Sequence, residues 1–148
     1  WVVTLYFADR QRAPQIAPAV TTPAKASSEQ VLGAALEHKL EQLLEEERVW
    51  LNPQLTLSDL AMQVGTNRTY LSNYLNNTLN TTFYDYINGF RLKAALEQLN
   101  DPATSVTMVE LAESCGFNST STFRRVFVRA MGCSYVEYRD RILAQKRL

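Results

Sequence analysis

The sequence contains few of the residues that build catalytic or metal centres. Its 148 residues include one histidine and two cysteines. Cys115 and Cys133 do not lie in a CxxC or Cys/His spacing that holds zinc, and His38 stands alone in the stretch EHKLE. The chain also has no glycine-rich loop that could cradle phosphates and no histidine placed to serve a nucleophile. The sequence therefore predicts no catalytic residue, metal site or cofactor, and we expect both thiols to be reduced and buried.

The chain also lacks a net charge, because 15 basic residues balance 15 acidic ones. This balance argues against a nucleic-acid partner, since phosphate binding requires an excess of Lys and Arg. The distribution is uneven, however: residues 1–50 carry five basic and seven acidic residues, residues 51–105 three and four, and residues 106–148 seven and four. Six of those last seven are arginines, which suit bidentate contact with phosphate or guanine. The basic end is thus a candidate binding surface.

The start of the chain lacks a hydrophobic run long enough to cross a bilayer, for which about 20 residues are needed. Seven of the first eight residues, WVVTLYFA, are apolar, and Arg10 and Arg12 follow. This pattern resembles the cytoplasmic end of a longer transmembrane helix. The alternative is the end of a strand or helix from an upstream sensor domain. Under either hypothesis we expect an upstream sensor region, through which the protein could dimerise, and under the first the full-length protein is membrane-anchored.

Residues 11–28 contain three prolines among Ala, Thr and Ser, which is linker composition, so we assign residues 1–27 to the sensor or membrane end plus this linker. An amphipathic connector helix is expected over 28–50, with Ser27 or Ser28 as its N-cap. Its apolar stripe consists of Leu32, Leu36, Leu40, Leu43 and Leu44. We favour packing of this stripe on the following domain over a coiled coil, because it spans fewer than three heptads.

One pattern occurs twice. Residues 55–67 read LTLSDLAMQVGTN, and residues 106–118 read VTMVELAESCGFN. In each copy a Thr precedes an acidic residue by three positions, which is a capping box or its Asp variant at a helix start. Leu and Ala then share one face of a short helix, and a glycine follows where a helix ends with positive φ. Each copy therefore predicts a short helix followed by a tight turn.

A second helix is expected after each turn, capped by Asn67 in the first copy and by Asn118 or Ser119 in the second. Its inward residues are Leu71 and Leu75 in the first copy and Phe123 and Phe127 in the second. We favour core packing of these phenylalanines over base stacking. Helix, glycine turn and helix form a helix-turn-helix, so the chain contains two.

The stretch between the two copies predicts a linker helix over about 83–99, about 25 Å long. It could hold the two units apart, so that their second helices enter successive major-groove segments about 34 Å apart. The predicted fold is all-α, with two helix-turn-helix units joined by a linker helix within a domain over 51–148. We place the first unit at about 55–80 and the second at about 106–132.

With two helix-turn-helix patterns joined by a helix, the chain resembles the DNA-binding domain of the AraC/XylS family of bacterial transcription regulators over about residues 50–141. The most specific part is ELAESCGFNSTSTFRRVFVRAMGCSYVEYR, which follows the family pattern of acid, Leu, Ala, a Gly-Phe turn, Phe, Arg, Phe, Gly and a closing Tyr-Arg. The chain departs from the family at Asn80, which replaces a glycine, at Leu75, which replaces an aromatic residue, and at Tyr135, which replaces a proline. Asn80 is compatible with the turn because Asn also adopts the left-handed conformation.

The resemblance implies that the outward residues of the two second helices contact double-stranded DNA. These are Arg68, Thr69, Ser72 and Asn73 in the first unit, and Thr120, Ser121, Thr122, Arg124, Arg125 and Arg129 in the second. Asn73 could pair with adenine, while Arg68 more plausibly meets phosphate. Arg125 matches a recurrent arginine of the family, and we expect Arg129 near the DNA backbone. The second unit should supply most of the electrostatic attraction.

The resemblance further implies a cytoplasmic DNA-binding domain that acts at promoters on RNA polymerase, as an activator does, although the sequence leaves repression open. The alternative is a helical protein–protein interaction module that keeps the fold without binding DNA, which the zero net charge allows. The arginine cluster of the second unit distinguishes the two hypotheses, because a DNA-binding protein should depend on it and an adaptor should not.

Overall fold

The computed structural model describes residues 23–101 and 103–147, with side chains from Gln30 onward. This part of the chain contains seven α-helices and no strand, which confirms the all-α prediction. The proposed membrane or sensor end and most of the proline-rich linker lie outside the described residues. Within the described part, none of the helices has the length and apolarity needed to cross a bilayer.

The described part of the chain divides into two compact units. The N-terminal unit contains the described residues up to Val49 and the segment Leu55–Thr82. The C-terminal unit contains Trp50–Gln54 and the chain from Phe83 onward. The segment Trp50–Gln54 therefore belongs to the C-terminal unit, although it precedes the first helix-turn-helix in the sequence.

Helix α1, Pro23–Glu41, is the connector helix, and a π-helical turn over Gln42–Glu46 continues it. It starts earlier than Ser27 because proline is tolerated in the first helical turn and the alanines that follow are strong helix formers. It also ends before Trp50, because Arg48 adopts a positive φ of 50° that breaks the helix. The last four leucines of the predicted stripe are buried, whereas Leu32 is 55% exposed.

The first helix-turn-helix consists of α2, Leu57–Gln63, and α3, Arg68–Asn73. The predicted capping box is present: the Asp59 amide donates to Thr56 Oγ1 at 3.2 Å, and the Thr56 amide donates to Asp59 Oδ2 at 3.0 Å. Gly65 has a φ of 79°, and Asn67 caps α3 by accepting from the Tyr70 amide. A π-helical turn over Tyr74–Thr78, which the sequence did not predict, extends α3.

The first α-helix of the C-terminal unit is the linker helix α4, Phe83–Asn100, which starts at the predicted residue and ends one residue after the predicted end. Its second helix-turn-helix consists of α5, Met108–Ser114, and α6, Thr120–Met131. A further helix, α7, Tyr135–Lys146, follows the left-handed Gly132 and lies beyond the predicted second unit.

The second copy repeats the turn geometry of the first. The Glu110 amide donates to Thr107 Oγ1 at 3.3 Å, and the Thr107 amide donates to Glu110 Oε2 at 2.8 Å. Gly116 has the same φ of 79° as its counterpart in the first copy. Of the two candidate caps, Ser119 is the one used, since its Oγ accepts from the Thr122 amide at 3.1 Å. The repeat in the sequence is thus a repeat in local structure.

Candidate nucleic-acid interface

Helix α3 has an apolar inward face and a polar outward face. Leu71 and Leu75 are fully buried, as predicted. On the opposite side Arg68, Thr69 and Asn73 are exposed. Ser72 is half-buried, and its Oγ accepts a hydrogen bond from Asn76 Nδ2 at 3.3 Å. The four predicted contact residues of the first unit therefore occupy one surface, three of them fully accessible to a ligand.

Helix α1 lies beside α3 in the N-terminal unit, as the phenol of Tyr74 shows. Burial raises the pKa of Tyr74 above its ordinary value, and the negative charge of Glu37 and the neighbouring Tyr70 raise it further. Because the effect of Glu37 requires proximity, this part of α1 lies near the residue that follows α3. The outward face of α3 stays open along its length, since Asn73 at its C-terminal end is exposed.

Helix α6 presents a more strongly charged surface. Ser121, Arg124, Arg125 and Arg129 are exposed, whereas Thr120 and Thr122 are half-buried. The Thr122 Oγ1 lies 2.9 Å from Ser119 Oγ, so this hydroxyl takes part in the helix cap. The structure thus brings all six predicted residues together on one helix and leaves the three arginines pointing to solvent.

Arg129 has a partner that the sequence did not reveal. Its Nη1 donates to Asp85 Oδ1 of α4 at 3.2 Å, and the two side chains are 62% and 32% exposed. An exposed ion pair of this kind contributes between about 0 and 1 kcal/mol. A phosphate could therefore displace Asp85 from Arg129 at little energetic cost.

The aromatic residues of the C-terminal unit form its core. Phe123 and Phe127 are fully buried, which confirms core packing over base stacking. The Phe117 and Phe123 rings meet edge to face with centroids 5.2 Å apart, and Tyr138 meets Phe127 in the same way at 5.5 Å. The Tyr135 hydroxyl donates to the Val106 carbonyl at 3.1 Å. Such aromatic pairs fix the rotation of α6 and thereby direct its arginines outward.

The thiol of Cys115 also belongs to this core. It is fully buried, and burial raises its pKa, with Ser114 acting in the opposite direction through a hydrogen bond. A raised pKa keeps the thiol protonated and unreactive at neutral pH. Cys133 is likewise a free, buried cysteine. Both agree with the expectation of reduced thiols in a core.

Arg91 is a residue that sequence reasoning missed. It lies on α4, is only 7% exposed, and donates from Nε to the Trp50 carbonyl at 2.8 Å and from Nη2 to the Asn52 carbonyl at 2.9 Å. Its Nη1 donates to Asn88 Oδ1 at 3.2 Å. Burial lowers its pKa, but guanidinium remains charged in proteins. The sequence did contain a sign that Arg91 is buried, since Arg91 interrupts the apolar stripe that Ile87, Leu92 and their neighbours form on α4.

Comparisons with known proteins agree with this architecture. A family described as a helix-turn-helix domain matches residues 60–141. The transcriptional regulator YdeC of Bacillus subtilis strain 168, described as helix-turn-helix type, is 30% identical over 102 residues, which are 69% of this chain and 34% of that protein. This chain matches between 20% and 42% of the length of the curated relatives.

Solved structures share the fold. The DNA-binding domain of AdpA, a global transcriptional factor solved with a target DNA, has a TM-score of 0.58 at 22% identity, covering 80% of this chain and 95% of that one. The C-terminal domain of AraT, a response regulator from Geobacillus stearothermophilus, has a TM-score of 0.60 at 24% identity, covering 72% of this chain and 84% of that one. The matched proteins are transcription regulators and DNA-binding domains, not enzymes.

Proposed function

This chain belongs to the AraC-type helix-turn-helix family, and from that premise we propose that it is a sequence-specific double-stranded DNA-binding domain of a bacterial transcription regulator. The observation that carries the proposal is the paired arrangement of two capped helix-turn-helix motifs, each with a buried apolar face and an exposed polar face on its second helix. A second helix of this kind is the element that enters the major groove.

In this proposal α3 and α6 are the recognition helices and occupy successive segments of the major groove. Helix α6 supplies most of the electrostatic attraction, because Arg124, Arg125 and Arg129 are exposed on it. Each arginine that neutralises a phosphate releases counterions, so binding through α6 should be strongly salt-dependent. Helix α3 has one arginine and contributes chiefly base readout, for which the exposed amide of Asn73 suits adenine.

The remaining parts of the proposal concern the whole protein. We place the domain in the cytoplasm, where bacterial DNA is found, and we infer action at promoters through RNA polymerase. The chain spans only part of its relatives' length, which leaves room for an upstream sensor region through which the protein could dimerise or be anchored to the membrane. The residues 1–22 that would join such a region lie outside the described part of the chain.

A helical interaction module without DNA binding is the competing function. The family assignment does not favour it, and the three outward arginines on α6 serve no evident purpose in an adaptor. Within the described residues Arg129 pairs with Asp85, and that ion pair is partly exposed. An exposed face that carries three arginines is more consistent with a polyanionic ligand.

The direct test is selection of this chain's binding sites from random-sequence duplex DNA, followed by sequencing, at two salt concentrations. We expect enrichment of a bipartite site whose elements lie about one helical turn apart, with an affinity that falls as salt rises. Uniform weak binding without an enriched sequence, or no binding at either salt concentration, would contradict sequence-specific recognition and favour the interaction module.

A further inference from the structure

The segment Trp50–Asn52, which we call the strap, is held in the C-terminal unit far from its place in the sequence. Trp50 is buried, and its ring stacks on Phe90 of α4 with centroids 6.5 Å apart. Because Arg48 breaks the preceding helix with a positive φ, the chain can turn toward this position. The strap therefore lies against elements that follow it by about 40 residues, as the hydrogen bonds to Arg91 show.

Arg91 fastens the strap through its guanidinium. Two of its nitrogens donate to strap carbonyls, those of Trp50 and Asn52, and a third donates to the side chain of Asn88 on the same helix. All three acceptors are neutral, so no carboxylate in this set compensates the buried charge. Hydrogen bonds from a charged donor are about twice as strong as those between neutral groups. The planar guanidinium also fixes the direction of both strap carbonyls, which a lysine could not do equally well.

The strap lies directly on the turn of the second helix-turn-helix. A Cβ atom added to Gly116 would come within 2.7 Å of the carbonyl oxygens of both Leu51 and Trp50. The guanidinium carbon of Arg91 lies 6.0 Å from the ring centroid of Phe117, the next residue of the turn. The turn Gly116–Phe117 is thus held by the strap and by the residue that fastens the strap.

This turn leads into α6. The Phe117 ring packs edge to face on Phe123 of α6, and Ser119, two residues further on, is the N-cap of α6. We propose that Arg91 is a positioning residue for DNA recognition, which sets the orientation of α6 by clamping the strap against the turn that precedes it. The inference rests on the proposed DNA-binding function, since it assigns Arg91 an effect on base recognition without contact to DNA.

The test compares base discrimination among variants of this chain on the selected DNA site and on its single-base substitutions. Arg125→Ala first identifies the base pairs that α6 reads, and Asn73→Ala identifies those that α3 reads. Arg91→Met then removes the clamp while keeping the side-chain volume, and Arg91→Lys retains the charge. The matched control is Lys93→Met, which removes one positive charge from an exposed position on the same helix. Circular dichroism and thermal unfolding define a temperature at which every variant is folded.

We expect Arg91→Met to reduce discrimination by about tenfold at the base pairs identified with Arg125→Ala. The variant loses all three Arg91 hydrogen bonds, and a tenfold change corresponds to the free energy of only about one of them. The bases assigned to α3 should change by less than twofold. Arg91→Lys should recover part of the loss, and Lys93→Met should leave both sets of bases unchanged. If folded Arg91→Met keeps the wild-type discrimination at the α6 bases, or loses it equally at both sets, the positioning role is wrong.

A second measurement separates this inference from the proposed function. Amide hydrogen exchange at residues 116–119 should be faster in Arg91→Lys than in the wild type, by more than the change in global stability accounts for. Unchanged exchange relative to global stability would overturn the clamp even where DNA binding is normal. Conversely, if the wild type selects no DNA sequence but Arg91→Lys still exchanges faster than the wild type at residues 116–119, the proposed function is refuted and the clamp on the turn is retained.

Discussion

The two helix-turn-helix motifs of this chain share their local geometry and differ in their surroundings. Both begin with a capping box, both turn through a glycine with a φ of 79°, and both cap the second helix with a polar side chain. However, α3 is a regular α-helix for six residues before its π-helical turn, whereas α6 is regular for twelve residues and ends at a left-handed glycine. The repeated pattern determines the local fold of each motif, whereas the length and the end of its second helix depend on residues outside the pattern.

The two motifs also differ in the charge of the exposed residues on their second helices. In the second helices, equivalent positions are 52 residues apart, which pairs Ser72 with Arg124 and Asn73 with Arg125. The positions that carry neutral polar groups on α3 thus carry arginines on α6. Neutral polar side chains can discriminate bases but cannot neutralise phosphate, whereas arginines can do both. Under the proposed DNA-binding function, we therefore expect α3 to contribute mainly specificity and α6 to contribute both affinity and specificity.

The largest difference should appear at the two turn glycines. Gly65→Ala introduces a Cβ with no heavy atom within 4 Å, so its cost is the left-handed backbone alone, about 1 to 2 kcal/mol. Gly116→Ala adds a collision with the strap carbonyls at 2.7 Å, and we expect a loss of about 2 to 5 kcal/mol in the free energy of unfolding. Urea denaturation of both variants measures the difference. Equal losses in the free energy of unfolding would show that the strap moves away from Gly116 at little energetic cost.

Arginine and asparagine at equivalent positions should affect DNA binding differently. Arg125→Ala should weaken binding to the selected site by about 1 to 3 kcal/mol and reduce the salt dependence of binding if the guanidinium also neutralises phosphate. Asn73→Ala should relax the preference at one base pair while leaving the salt dependence unchanged, because the amide is neutral. Titrations at several salt concentrations test both. A change in salt dependence for Asn73→Ala, or none in affinity for Arg125→Ala, would contradict the proposed division.

Features governed by neighbouring residues could be predicted from the sequence. The capping boxes, the left-handed glycines and the buried positions of Leu71 and Phe123 depend on contacts within a few residues or on helical periodicity, and the structure confirms them. Even Asn80, which replaces a glycine of the family, adopts the expected positive φ, at 49°. The faces of α3 and α6 followed from the same periodicity, although contact of these faces with DNA stays a prediction.

Features that depend on distant residues could not be predicted. Arg91 meets the strap across 41 and 39 residues of sequence, and Asp85 meets Arg129 across 44. Periodicity places Arg91 on the apolar stripe of α4 but does not say which carbonyls it reaches. The ends of α1 were also misplaced, because proline at a helix start is neutral to helix formation and the break at Arg48 carries no glycine to mark it.

The two capping boxes should respond differently to loss of the threonine hydroxyl. Thr56→Ala and Thr107→Ala should each lower stability by about 1 kcal/mol at neutral pH. Hydrogen bonds lower the pKa of both acidic partners, but the Thr56 hydroxyl is the main cause for Asp59, whereas the Thr107 amide is the main cause for Glu110. Alanine removes the hydroxyl and keeps the amide. The pKa of Asp59 should therefore return further toward its unfolded value than that of Glu110.

The pH dependence of stability reports this difference. A carboxylate whose pKa is lower in the folded state stabilises the protein above its unfolded pKa, and the stabilisation is lost as the pH falls through the folded value. The ordinary values are 3.8 for Asp59 and 4.5 for Glu110, so the wild type should lose stability as the pH falls below this range. Urea denaturation between about pH 6 and pH 2.5 should show a flatter curve for Thr56→Ala than for Thr107→Ala. The reverse order would contradict the assigned hydrogen bonds.

The smallest expected effect concerns the ion pair that distinguishes α6 from α3. In the free chain Asp85 holds Arg129, so DNA must compete with this carboxylate for the guanidinium. Asp85→Asn should change stability by less than about 0.5 kcal/mol, because the pair is largely exposed. The same change should strengthen DNA binding by about twofold to fivefold at low salt, and the gain should shrink as salt rises. The matched control is Glu97→Gln, which removes one negative charge from an exposed position on the same helix and should give a smaller gain. If Asp85→Asn weakens binding while Glu97→Gln does not, Asp85 instead orients Arg129 toward the phosphate, and the electrostatic advantage of the second motif depends on a residue outside it.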